Sequence, residues 1–221
     1  VSLLDETLAA IQDRGLPLAS TSGSEKKYGG VVTGVVDYEM GLSAGRTGGE
    51  VIRDRLPAAP RVILLDYPDL PNLIQRANGL EDGFLHSVPG AIILGRYQGA
   101  TRQFAYESVA ALLAAGTTFE VILSINDDGS YGAIDALVEA GIDPQAVSII
   151  SIDAQEQAQE FIAEDYFIRA SLQVARTATA RALVEVVVQM LAGGRVAEQI
   201  IIPPGEVVTA ATLRLTPAPG G

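Results

Sequence analysis

The sequence predicts an α/β fold built on a buried parallel sheet. Three observations carry that prediction. Short apolar runs alternate with helical stripes at intervals of roughly thirty residues, the spacing of βαβ units. Alanine, valine, isoleucine, leucine and glycine dominate, while aromatics make up 5% and tryptophan is absent, as suits helices laid on inner strands. Finally, polar residues follow the apolar runs where a strand would end: Asp37, Asp66, Arg96, Asn126, Asp153 and Gln173.

Leu4, Leu8 and Ile11 form a short helical stripe that Gly15 ends, and residues 16–19 then read as a strand. Residues 20–30 are polar and contain glycine, as expected of a loop or a crossover between lobes. A strand is expected over 31–36 and a glycine-tolerant helix over 41–55. A strand at 62–65, a helix at 73–86 and a buried strand at 91–94 follow. The next units are clearer: helix 102–115, strand 121–124, helix 130–140 stopped by Gly141, strand 147–152, a helix to about Ile162, and strand 168–172. Residues 176–191 form an amphipathic helix with Leu183, Val184, Val187, Val188 and Leu191 on its stripe. Strands at 200–202 and 207–209 precede a Pro/Gly-rich end expected to fray.

The formal charge of −12 opposes binding to a phosphate backbone or to anionic lipid. The absence of cysteine excludes disulfides, thiolate chemistry and a Cys-based zinc site. The apolar runs are far shorter than a membrane span. The chain begins at Val1, read as a processed or cut start.

Enzyme templates fit poorly. No dinucleotide fingerprint, P-loop or nucleophile elbow occurs. The run from Gly45 to Gly49 resembles a phosphate loop but lies inside a helical pattern and has no lysine. His86, the one histidine, sits late in a helix and reads as a surface residue. The pair Asp127-Asp128 reads as capping and solvated. In an open parallel sheet ligands bind beyond the carboxyl ends of strands, so the strand-end residues are the binding candidates, with helix capping as the alternative for each.

The segment Ile125-Asn126-Asp127-Asp128-Gly129-Ser130-Tyr131-Gly132-Ala133-Ile134-Asp135-Ala136-Leu137 resembles the "NDxxAxGAxxAL" signature of type I periplasmic sugar-binding proteins, whose fold also forms the effector core of LacI-type repressors. Asp153 stands where that family has its "G-x-D" aspartate, Leu172-Gln173 matches its "T-x-x-Q" strand end, and Asp37–Gly41 resembles its "D-N-x-x-x-G" helix start. The stretch from Arg76 to Phe84 is similar to "R-x-x-G-F" with extra residues. The pattern departs at Ser22-Gly23 and at Gly99 and Ala100, where the family often carries an acidic "D-R" or similar and an aromatic; Tyr97 or Phe104 would substitute for the latter.

The resemblance implies two doubly wound parallel-sheet lobes, the type I periplasmic-binding-protein fold, with the first lobe incomplete in this chain. Residues 1–29 would be a remnant of the first lobe and a crossover, 30–172 the second lobe, and 173–221 the return to the first lobe with the C-terminal crossover. It also implies reversible capture of a small polar solute, a sugar or similar, in an interlobe cleft with hinge closure. Asn126, Asp153 and Gln173 are the family's ligand-contacting positions, with Asp37, Arg76 and Tyr97 as further ligand-binding candidates. No cofactor, metal or catalytic residue is implied. The expected role is the solute-binding component of an ABC importer, extracytoplasmic, with a membrane permease as partner. The alternatives are a cytoplasmic LacI-type ligand-sensing core without its DNA-binding head, and an enzyme on a similar sheet. Residues 144–154 lack the Phe and second Asp of the regulators, which favours transport. The apolar stripe of 176–191 has to be covered, which implies a longer protein or a second chain completing the first lobe.

Overall fold

A computed structural model describes residues 5–21 and 30–215 of the chain. The chain divides into two compact units, Val1–Val36 with Ala175–Pro204, and Asp37–Val174 with Gly205–Gly221.

The smaller unit contains helix α1 (Asp5–Asp13) and strands β1 (Ala19–Ser20) and β2 (Val31–Gly34), together with helix α7 (Arg176–Leu191) and strand β8 (Gln199–Ile201). Its three strands run parallel in the order β1-β2-β8. Gly15, at φ +63°, ends α1 in the left-handed conformation that glycine adopts without strain. The first strand starts later than the apolar run suggests. Pro17 has no N–H to donate, and pairing begins only where the Val31 N–H reaches the Leu18 carbonyl, leaving Leu16 half exposed. The strand at 31–34 was expected in the second lobe; its pairing with β1 and β8 places it in the smaller unit instead. Helix α7 lies on β1 and β2 and buries Val186, while Val184, Val188 and Leu191 of its expected stripe are exposed.

The larger unit follows the order α2 (Asp37–Ile52), β3 (Arg61–Asp66), α3 (Pro71–Ser87), β4 (Ile92–Gln98), α4 (Arg102–Ala114), β5 (Val121–Ser124), α5 (Asp127–Glu139), β6 (Ser148–Asp153), α6 (Glu156–Ala163), β7 (Ile168–Gln173), β9 (Val207–Thr209) and α8 (Ala210–Leu215). Its six-stranded sheet has the order β4-β3-β5-β6-β7-β9, parallel except for β9, which runs antiparallel to β7. That pairing corrects the expected return of the whole segment 173–221 to the first lobe: residues from 205 onward belong with the larger unit. Thr209 and Thr212 cap each other's backbone N–H groups and start α8, a helix the sequence did not suggest.

Successive residues Val62, Ile63, Leu64 and Leu65 are fully buried, as are Val121, Ile122 and Leu123, so both faces of the inner strands are covered. Helices α2 and α3 lie against one face, and α4, α5 and α6 form the layer on the other. β4, at the edge, alternates exposed and half-buried residues and extends to Gln98, four residues past the expected end. Arg96 is therefore not strand-terminal; it reaches Glu81 and Asn78 on α3 instead.

The glycines of α2 and α3 explain how the two helices meet. A Cβ at Gly41, Gly45, Gly79 or Gly83 would overlap the facing helix's backbone. These glycines form two reciprocal G-x-x-x-G pairs that bring the helix backbones together. The phosphate-loop likeness of 45–49 is thus a helix-packing surface.

Candidate binding site

Because β3 to β7 are parallel neighbours, their carboxyl ends share one edge of the sheet. Asp66 pairs in register with Gln98, and Asp153 with Gln173. The chain leaves β3 through α3 on one face and leaves β5 through α5 on the other. Adjacent strands whose connections depart to opposite faces create a crevice at their ends, where open α/β sheets hold ligands. Asp66 and Asn126 stand at that switch point.

Helix α3 brings Arg76 to the same place. Its Nε and Nη2 bind Asp37 Oδ1 at 2.8 and 2.7 Å, and its Nη1 donates to the Ile125 carbonyl at 3.2 Å. The Asp37–Arg76 pair is mostly buried and ties the start of α2 to the end of β5. Buried Asp66 accepts from the Tyr67 N–H and lies 3.5 Å from Arg96.

Asn126 is the N-cap of α5: its Oδ1 accepts from the Gly129 N–H at 2.9 Å, and its Nδ2 donates to the Ala100 carbonyl at 2.7 Å. The capping alternative is therefore realised. The carboxamide still keeps a second amide hydrogen and a second lone pair for another partner. Asp153 ends β6, half buried, at φ 124°, followed by buried Ala154 at φ 48°. Backbone conformations of this kind in non-glycine residues cost about 1–3 kcal/mol and concentrate at functional sites. Gln173 ends β7 with its residue exposed, and its N–H donates to the Glu206 carbonyl.

Asp37, Arg76, Asn126, Asp153 and Gln173 thus gather along one edge. Tyr97 does not. Its ring packs against the buried core, with its hydroxyl end over Gly95, back along the strand from the carboxyl edge. Phe104 is partly exposed in the first turn of α4. His86 is exposed, as expected. The positions 22 and 23 lie outside the described residues.

One residue at this edge departs from the expected solvated role. Asp127 is fully buried. Its Oδ1 accepts from Ser151 Oγ at 2.6 Å and Ser171 Oγ at 2.8 Å, and its Oδ2 accepts from the Gln155 N–H at 2.7 Å. Ser130 Oγ donates in turn to Ser151 Oγ, and the Ala154 N–H donates to Ser171 Oγ. Burial pushes the Asp127 carboxyl up to about 6, against the hydrogen bonds that favour its charged form. Only the neighbour Asp128 is exposed. Among the described residues no cluster of His, Asp or Glu has the arrangement of a metal site.

A family profile described as "Periplasmic binding protein domain" matches residues 2–195. The chain belongs to this family. No curated protein matches it at a significant level. Among solved structures, it resembles an ABC transporter periplasmic solute-binding protein from Actinobacillus succinogenes with bound D-allose. That match has 15% identity and a TM-score of 0.80, covering 96% of this chain and 75% of the other. A Mycobacterium smegmatis protein in complex with β-D-fucofuranose matches at 20% identity and a TM-score of 0.81, with 96% and 70% covered. An ABC transporter solute-binding protein from Bacillus halodurans with bound myo-inositol matches at 20% identity and a TM-score of 0.78, with 97% and 73% covered. These likenesses establish the type I periplasmic-binding fold, and the chain spans about three quarters or less of each neighbour's length.

Proposed function

We propose that this protein reversibly binds a neutral, hydroxyl-rich solute, a sugar or polyol, at the carboxyl edge of its larger sheet, and serves as the solute-binding component of an ABC importer outside the cytoplasmic membrane. The observation that carries the reading is the array Asp153, Gln173 and Asn126 at adjacent strand ends beside the Arg76–Asp37 pair. A carboxylate accepts from two neighbouring hydroxyls at once, and charge-assisted bonds are the stronger ones. A carboxamide donates to one hydroxyl and accepts from the next. Vicinal hydroxyls therefore find complementary groups without any bond being made or broken.

The charge of the edge selects against phosphorylated solutes. Asp37, Asp66, Asp127 and Asp153 outnumber Arg76 and Arg96 there, and both arginines already serve carboxylates. A phosphate would meet like charge. The family match and the three sugar- or polyol-bound neighbours support the same solute class.

Titration calorimetry against aldoses, furanoses, inositols, linear polyols and sugar phosphates tests the proposal. Binding of a neutral sugar or polyol that is lost in Gln173→Ala is the expected result. Binding confined to phosphorylated compounds, or to none of the panel, overturns it. The importer role predicts that cells lacking the gene lose uptake of the labelled compound that the purified protein binds.

A further inference from the structure

Three segments distant in sequence end on one buried carboxylate: the start of α5, the turn after β6, and β7. The turn carries Asp153 and Ala154, both with positive φ, so it holds a conformation that these residues do not choose by themselves. Its next two N–H groups both lead to Asp127. Gln155 donates to the carboxylate directly, and Ala154 does so through the Ser171 hydroxyl. Ser151, two residues before Asp153, is the third donor.

We propose that Asp127 is a positioning residue for solute binding: it does not touch the solute but fixes the backbone of the Asp153 turn, and so aims the Asp153 carboxylate. The solute-contacting role of Asp153 rests on the function proposed above, whereas the hold on the turn does not. The mechanism is a matter of acceptors. Without Asp127 the Gln155 N–H and two serine hydroxyls lose their shared buried partner, and the strained turn, still tied at the Ala154 carbonyl by Gln159 Nε2, is freer to relax toward ordinary backbone. An asparagine at 127 retains this anchor. Its carbonyl oxygen accepts from Gln155, and its amide donates to the serine oxygens, as a neutral acid would.

The experiment compares Asp127→Ala, Asp127→Asn and Ser171→Ala with the wild-type chain by amide hydrogen exchange and by calorimetry with the best-binding compound of the panel. In Asp127→Ala the Ala154 and Gln155 amides should exchange about tenfold faster or more, while amides of β3 and β5 keep their protection. Asp127→Asn should restore slow exchange. Ser171→Ala should release Ala154 alone. Affinity should fall about tenfold or more in Asp127→Ala and stay within about threefold of wild type in Asp127→Asn. It should also fall no further when Asp127→Ala is added to Asp153→Ala, because the effect runs through that side chain. Unchanged exchange at both amides in Asp127→Ala overturns the proposal. So do protection lost uniformly across the sheet and additive losses in the double variant, since both mark a merely structural residue. A wild-type chain that binds no compound overturns the proposed function and with it the aiming of Asp153, whereas the exchange data still decide whether Asp127 holds the turn.

Discussion

Asp153 pairs a proposed solute-contacting position with an unfavourable backbone. At φ 124° a glycine would be at ease where a side chain is not. Asp153→Gly and Asp153→Ala both remove the carboxylate, but only glycine relieves the backbone. Denaturant unfolding should therefore find the glycine variant more stable than the alanine variant by about 1–3 kcal/mol, with solute binding weakened in both. Asp127 yields a pH prediction. Its carboxyl rises from 3.8 to about 6 on folding, so the native state holds the extra proton between those values. Its contribution is fully present below about pH 4 and is lost as pH rises through 6. The groups facing it are the Ser151 and Ser171 hydroxyls, the Gln155 N–H and the Asp153 carboxylate, with the Tyr131 hydroxyl pushed up by burial and so protonated throughout. Stability of wild type relative to Asp127→Asn, which cannot titrate, should fall by about 2.5 kcal/mol between pH 4 and pH 7.5. A flat difference would contradict the raised carboxyl. The strand-end placement of Asn126, Asp153 and Gln173 was legible in the sequence because each follows an apolar run. The burial of Asp127 was not, because it depends on serines from α5, β6 and β7 that only folding brings together. Arg96 is not at a strand end as expected, because β4 continues to Gln98, past the apolar run that suggested the strand.

At the scale of elements, the α2–α3 contact sets the Arg76–Asp37 pair. Gly41 lies against the Arg76 carbonyl and Gly79 against the Tyr38 carbonyl, so the interface and the pair share the same turns of helix. Adding one methyl there pushes backbone from backbone, since no flexible side chain is available to yield. Gly41→Ala and Gly79→Ala should each destabilise the larger unit by about 1–3 kcal/mol despite alanine's higher helix propensity, as measured by denaturant unfolding. Gly116→Ala makes a useful control: no atom crowds that position, and its cost comes only from its φ of +73°. The sequence revealed helix, strand and order for most of these elements, because apolar periodicity is local. It revealed the glycines only as tolerated within a helix. Their function is a close approach between two helices separated by β3, which periodicity within either helix cannot disclose.

At the scale of the molecule, the two units differ in how much core each possesses. The larger has five parallel strands with inner residues buried on both faces, and helices cover both sides. The smaller, among its described residues, has three strands of two to four residues and buries Leu8, Val31, Thr33 and Val186, while Val184, Val188, Leu191 and Ile201 are exposed. Each fully buried valine or leucine contributes about 1.5–3 kcal/mol, and backbone ordering costs about 1–2 kcal/mol per residue. So few buried side chains offset little of the ordering of that unit, whereas the larger unit has a core to do so. Opening should accordingly be independent in the two units rather than all-or-none for this 221-residue chain. Native-state hydrogen exchange should find the amides of β1, β2 and β8 at least about a hundredfold less protected than those of β3, β5 and β6, a gap of about 3 kcal/mol in opening free energy. Thermal unfolding followed by tyrosine absorbance should report mainly the larger unit, because Tyr38, Tyr67, Tyr97, Tyr106, Tyr131 and Tyr166 all lie within it. Backbone circular dichroism should show an earlier, smaller step from α1 and α7 that the absorbance misses. Coincident transitions by both probes, with equal protection across the two sheets, would mean that the apolar face of α7 is covered in solution, and light scattering would then show whether a second copy of the chain covers it.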